Sequence, residues 1–590
     1  MSQPPLPSTT SPPVPEPPAL DRRLAELEGT VARLEARLAA LEAGAPRPRA
    51  RPVEEAPEPE VSLLPLAPME LMGLVGRVCL ILAGAFLIRA FSDAGRLPLP
   101  AGVALGLGYG LLWTVQADRA GRAGRRTAAA FHAVTTALIA FPLLLEATVK
   151  FHVLSPGLAA VALLGVTLLL AGVCWRRDLH GVFWASVLAA LATGFGLMLA
   201  TAALEAFSAV FIALGGASLW LTYGRRWHGI RWPVALVADL SVFALTSLAA
   251  WSGGPPEAYR HLSAPRAILL GLALVAVYLG SLAVRILQRH RAVNPFEAVQ
   301  AALVLLVGFG GALRVAHASG SGELALGILA FAGGAGCYVL AFAFVERQVE
   351  TGANFTFFSS VALVFVLAGC LIVLPGTARV LGLVLLGLLS VGVALRFRRS
   401  ILFTHGTAAL ATAALASGLL VDSLAVFFRP GQVSGSFGAA ALLVLGALAG
   451  AHAAGIGARG PEEARWTVRL PSFVLAALAL AGLSALAMAV LTRLVAGDPP
   501  EPAAMAVTRT AVLTAAALLL AGLGRVAPGS EAAWLVYPVL GLAGLKLLVE
   551  DFAKGRPLTL FLALGLLGVA LVLAPRLLRA RRAPVEGPPA

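Results

Sequence analysis

From about Leu71 to Leu577 the chain is a nearly unbroken succession of apolar runs. A bilayer core about 30 Å thick is crossed by a helix of roughly 20 residues. Only helices and closed barrels satisfy their backbone polar groups in it. The runs lie at 71–90, 99–116, 127–147, 155–175, 181–200, 206–223, 232–251, 266–288, 296–316, 323–345, 355–374, 377–396, 401–421, 436–456, 471–495, 505–525, 532–550 and 557–577. They amount to about 18 crossings, give or take about two because tight helical hairpins merge or split in such a reading, joined by connections of no more than about 15 residues, which leaves no room for an extramembrane domain. The fold expected is an all-α, polytopic transmembrane helical bundle spanning 70–577, followed by a cytoplasmic tail at 578–590.

Composition agrees with that class and excludes others. Hydrophobic residues make up 58% of the chain and charged residues 13%, against about 45 to 50% and about 25% in soluble domains. A soluble enzyme, a disulfide scaffold and a wholly disordered chain are thereby ruled out. Cys79, Cys174, Cys337 and Cys370 lie in or beside apolar runs without CxxC spacing, so they read as small buried side chains and neither as disulfide partners nor as zinc ligands. No basic and apolar secretory signal stands at the N-terminus, and insertion is expected to rest on the first span.

The formal charge of +14 is a topological signal and not a mark of nucleic-acid binding. Residues 1–69 hold seven arginines against ten acids, so the positive excess belongs to the short loops between apolar runs. With a cytoplasmic N-terminus, the inner side receives clusters such as Arg119, Arg122, Arg125 and Arg126, or Arg576, Arg579, Arg581 and Arg582. Basic residues on that side outnumber those opposite by nearly two to one, as cytoplasmic loops require. Both termini are expected in the cytoplasm.

Ahead of the bundle, residues 1–19 are a Pro-rich tail with nothing to bury, read as disordered. Leu20, Leu24, Leu27, Val31, Leu34, Leu38 and Leu41 then recur at spacings of four and three, the seam of a coiled coil over 20–43, with arginines and glutamates between them. A homo-oligomer or capture of a partner helix is the role that such a seam implies. The alternative is a solitary amphipathic helix on the membrane surface. A Pro-rich linker at 44–69 sets this helix off from the bilayer.

Ionisable groups inside spans are costly and are therefore candidate functional sites. The intramembrane candidates are Arg77, His132, Asp239 and Lys546. Three pairs at i,i+4 place opposite charges on one helical face near predicted outer ends: Arg89 with Asp93, Glu146 with Lys150, and Lys546 with Glu550. Asp551 and Asp422 stand near the same surface, and a shared polar outer pocket is one reading of these charges. His152, His261 and His317 show no ligand spacing, and no metal or other cofactor is indicated. Gly102, Gly106 and Gly110, and Gly446 with Gly450, have the spacing that lets helices pack closely. Gly106 and Gly108 are no dinucleotide fingerprint, because no strand precedes them. Pro142 and Pro538 free backbone carbonyls and read as tolerated kinks, with an ion or substrate site at an interrupted helix as the alternative. No Walker, HExxH or GxSxG motif occurs, and no catalytic residue is assigned.

The stretch GLVGRVCLILAGAFLIRAFSDAGRLPLPAGVALGLGYGLL behind a coiled coil and a Pro-rich linker, with the closing GLAGLKLLVEDFAKGRPLTLFLALGLLGVALVLAPRLLR, resembles a bacterial family of polytopic membrane proteins known as domain of unknown function 2339. The shared pattern covers the first two and last two spans, with Lys546, Asp551 and Arg556 at positions the family marks; Arg89 stands where a Lys is expected, and small residues near Ala101 replace an Arg. The resemblance implies a multi-pass protein of the bacterial cytoplasmic membrane and supplies no reaction. Intramembrane charges favour handling of a small solute, ion or lipid. The alternatives are a non-catalytic envelope scaffold assembled through the coiled coil, and an intramembrane transferase on lipid carriers using acids such as Glu146, Asp422 and Asp551.

Overall fold

The computed structural model describes residues 28–33, 35–36, 68–223, 227, 229–289, 292–345, 352–397, 399–428, 437–457, 466–495, 501–526, 530–552 and 557–579. The tail 1–19, nearly all of the coiled-coil seam, most of the linker and the tail from 580 onward lie outside them. Of the segment 20–43, residues 28–33, 35 and 36 are helical and exposed. The chain divides into the units Met1–Cys79 and Leu80–Ala590, with the boundary inside the first long helix. The helical bundle lies in the second unit.

The described residues form helices and no strand. In chain order they are α1 Pro68–Asp93, α2 Leu99–Arg122, α3 Arg126–Val149, α4 Pro156–Arg177, α5 His180–Thr201, α6 Leu204–Tyr223, α7 Arg231–Ala249, α8 Ala264–Arg289, α9 Pro295–Ser319 and α10 Glu323–Val339. Then come α11 Gly352–Val373, α12 Gly376–Phe397, α13 Ser400–Ala416, α14 Leu419–Phe428, α15 Ala439–Gly457, α16 Trp466–Val495, α17 Pro502–Val526, α18 Glu531–Asp551 and α19 Pro557–Arg579. Among the described residues, fifteen helices are long and apolar enough to cross a membrane, or up to sixteen if the bent pair α13 and α14 counts as one span. Set beside the expected count of about 18, two runs are missing from these: 71–90, where α1 lies partly outside the described residues, and 99–116, where α2 mixes Tyr109, Trp113, Thr114 and Gln116 with its glycines.

Neighbouring helices pair as antiparallel hairpins, as short connections dictate: α2 with α3, α4 with α5, α6 with α7, α10 with α11, and α12 with α13. Three apolar cores succeed one another along the chain. The first joins α2 through α11, the second α11 through α16, and the third α14 with α16 through α19. Local chemistry sets the helix ends. Ser155 caps α4 ahead of Pro156, and Asn294 and Glu297 form a reciprocal capping box around Pro295 at the start of α9.

Buried hydroxyls meet the same constraint, since hydrocarbon offers them no water. Thr148, Thr167, Thr407, Thr492 and Thr514 each donate to the carbonyl four residues earlier in their own helix. Gly271 of α8 and Gly308 of α9 let two backbones meet: a Cβ on either would lie 2.6 Å from the other's carbonyl oxygen. Gly102 and Gly106 likewise face Ser92 and Leu143, whereas Gly446 and Gly450 have no atom of the described residues within 4 Å of a built Cβ.

The helices depart from straight α geometry in two ways. Among the described residues three π-turns occur, at Leu305–Phe309 in α9, at Leu340–Val345 after α10, and at Leu547–Asp551 closing α18. Between α13 and α14 the axis bends by 65°. Gly418 makes the corner with φ +79, and the Ser417 hydroxyl donates to Ala414 O and accepts from Leu419 N.

Candidate functional sites within the bundle

The most isolated charge is Asp239, in the middle of α7 and 4% exposed. Both of its carboxylate oxygens accept from one nitrogen, Gln300 Nε2 on α9, at 3.0 and 2.9 Å. No cation pairs with it among the described residues. That separates it from the buried acids Glu297, Glu550 and Asp551, each of which faces a basic side chain. Around this pair the polar groups are few and ordered. Tyr278 of α8 lies within electrostatic reach of Asp239, and its buried hydroxyl has no hydrogen-bond partner among the described residues. Gly215 on α6 makes room for that hydroxyl, because a Cβ there would stand 2.5 Å from it. Tyr278, Gln300, Tyr223 and Glu297 line a cavity of about 10 Å³, which is room for roughly one water molecule. Beyond it Glu297 pairs with Arg285 and accepts from Asn294 N at 3.0 Å. Gln300 sits one turn after Glu297, so α9 carries both on one face.

A second cluster lies in the third core. Arg509, which no sequence pattern singled out, is 1% exposed on α17 and pairs with Glu550 of α18. Lys546 Nζ donates to Asp551 at 2.7 and 2.9 Å, to Thr510 Oγ1 at 2.9 Å and to the Ala506 carbonyl, and lies 3.5 Å from Glu550. Thr510 in turn donates to Asp551 at 2.9 Å. The expected Lys546–Glu550 pair is thus the weaker contact, for a geometric reason. The π-turn runs through this segment, and i,i+5 replaces i,i+4 as the spacing that shares a face. Two cations and two acids cancel, and every charge has a partner.

A third group gathers where α1 ends, α2 begins and α3 ends. Arg89 Nη1 meets Glu146 at 2.9 and 2.7 Å, and Arg89 Nε stands 3.6 Å from Asp93. Glu146 therefore pairs across helices and not with Lys150, whose ammonium lies 5.5 Å from the Phe151 ring. These charges border a cavity of about 120 Å³ that Pro142, Gly102 and Gly106 also line. The predicted outer charges accordingly split between this cavity and the α17–α18 cluster, and Asp422 stands exposed in the first turn of α14.

Of the remaining candidates, His132 stacks on Trp113 at 5.2 Å, and the side chain of Arg77 lies outside the described residues. His317 pairs with Glu323 at 2.5 Å. No three His, Cys, Asp or Glu among the described residues come together in a metal-binding arrangement.

Set against protein-family models, curated proteins and solved structures, the chain matches none. The architecture alone defines the class, a multi-pass helical protein of membrane type.

Proposed function

We propose that this is a multi-pass protein of the bacterial cytoplasmic membrane, both termini inside, that moves protons through its bundle with Asp239 as the binding carboxylate. The carrying observation is that Asp239 is buried in an apolar helix with an uncharged amide as its partner and no cation among the described residues. A carboxylate so placed is neutralised by a proton or a bound ion, because the isolated charge is expensive in such surroundings. The donor set favours the proton. Metal ions need several converging oxygens, whereas both oxygens of Asp239 already face amide hydrogens of Gln300. Tyr278, Gln300 and Glu297 around the water-sized cavity supply hydrogen-bonding groups toward the Arg285 end of α8. The basic loop clusters and the resemblance to the bacterial membrane family support the orientation and the membrane.

The test is proton flux into proteoliposomes holding a pH-sensitive dye, with Asp239→Asn beside the wild type. Asn keeps the shape and one acceptor for Gln300, so the variant folds with unchanged or slightly higher thermal stability. Flux is expected to fall by at least about tenfold, the loss typical of removing an essential proton carrier. A wild-type protein that passes no protons, or an Asp239→Asn protein that passes them equally, overturns the proposal. Gln300 is the positioning group, and Gln300→Leu should slow flux with less effect than the Asp239 change.

A further inference from the structure

The cavity at the α1–α2–α3 end has features that the proton path does not use. Its walls are apolar, with Phe86, Val103, Leu138 and Leu143 among them, and Phe86 and Leu138 are themselves exposed, so it opens sideways onto an apolar surface. Along one edge it is charged. Arg89 uses Nη1 for Glu146 and turns Nε toward Asp93, and its Nη2 has no partner among the described residues. The Asp93 side chain is 54% exposed, and its Oδ1 is likewise unengaged among them. Pro142 has no N–H to offer the Leu138 carbonyl, which leaves one more acceptor on the wall.

The geometry points to a bound phospholipid with a primary-ammonium headgroup: phosphate on Arg89 Nη2, ammonium on Asp93, and the start of one acyl chain in the cavity. Charge complementarity carries the assignment. An anion alone would meet the Asp93 and Glu146 carboxylates uncompensated, and a cation alone would meet the Arg89 guanidinium. A zwitterion offers each its opposite, next to an apolar slot that opens to lipid. Size agrees, since about 120 Å³ is a little less than the roughly 150 Å³ apolar cavity that takes up benzene. It holds the first carbons of one chain and excludes a second. Gly106 keeps that slot open, because a Cβ there would already crowd Leu143 at 2.6 Å.

The full-length protein, delipidated in detergent and returned to nanodiscs of either phosphatidylethanolamine or phosphatidylglycerol, is assayed by native mass spectrometry after re-extraction. Wild-type protein should retain one phosphatidylethanolamine and select it over phosphatidylglycerol by about tenfold, the worth of one charge-assisted hydrogen bond. Asp93→Asn should abolish the selection, and Arg89→Gln should lower retention of both lipids. Asp93 is a surface residue, so its variant remains informative if loss of Arg89 disturbs Glu146. Equal retention of the two lipids by the wild type, retention of detergent only, or selection that survives in Asp93→Asn overturns the assignment.

Discussion

Replacing Lys546 by methionine tests whether the α17–α18 cluster is held as a balanced unit. Methionine keeps the length and apolar stem of the lysine, so little cavity is made. The change removes the ammonium, with its bonds to Thr510, to both Asp551 oxygens and to the Ala506 carbonyl. Arg509, Glu550 and Asp551 then carry one net negative charge in a site where Asp551 is 2% exposed. Breaking a buried pair from one side costs about 3 to 5 kcal/mol. Protonation sets a ceiling: a carboxyl of ordinary affinity takes up a proton at pH 7 for about 4 kcal/mol, at roughly 1.4 kcal/mol per unit. The loss is therefore expected at about 3 to 4 kcal/mol at pH 7. It should shrink by roughly 1.4 kcal/mol for each unit the pH is lowered toward 5. Adding Asp551→Leu removes the stranded charge and should recover most of the loss, because an apolar pair of similar volume is often as good as the ion pair. Equilibrium unfolding in mixed micelles, followed by circular dichroism, reads all three proteins. If Lys546→Met lies within about 1 kcal/mol of the wild type, or the double variant is no better than the single one, the reasoning fails.

Gly271→Ala puts a methyl 2.6 Å from the Gly308 carbonyl and must separate α8 from α9; thermal unfolding should show a loss of about 1 to 3 kcal/mol. Asp118 links α2 to α4 through Arg177, at 2.8 and 2.6 Å. Burial by itself pushes its carboxyl up, but hydrogen bonds from Arg177 and Arg122 outweigh that and hold it below the usual range. The native form thus binds its proton less readily than the unfolded chain. Its stabilisation is present above the unfolded value near about 3.9 and is lost as pH falls through the lower native value. Asp118→Asn should accordingly cost about 1 to 2 kcal/mol at pH 7, and the gap from the wild type, read by the same unfolding assay, should close only below about pH 4.

How far the sequence alone could reach depends on the range of each signal. Apolar run length is local, so helices and their order were legible, and what changed was α2, too polar to count as a span, and the bend after Ala416. Asp239 was legible as a charge in an apolar run. Its partner was not, because Gln300 is uncharged and 61 residues away. The same distance problem hid Arg89 with Glu146, 57 residues apart, and Arg509 with Glu550, 41 apart. Arg509 could have been suspected, since TRTAVLTAAALLL sets an arginine inside a predicted span. Lys546 with Asp551 failed differently. The residues are close in sequence, but α-helical spacing misreads a π-turn, whose onset no residue pattern announces.

The bend between α13 and α14 fixes the vertical reach of that span. Seventeen residues in α13 rise about 25 Å and ten in α14 about 15 Å, at roughly 1.5 Å per residue. Folded over by 65°, the second piece adds only about 6 Å along the first one's axis. Together they just match the roughly 30 Å of a bilayer core. This span consequently has no slack for tilt, and the corner at Ser417 and Gly418 sits at a depth set by α13 alone. In a thinner or thicker bilayer the corner, rather than either end, is the point forced to move relative to the lipid.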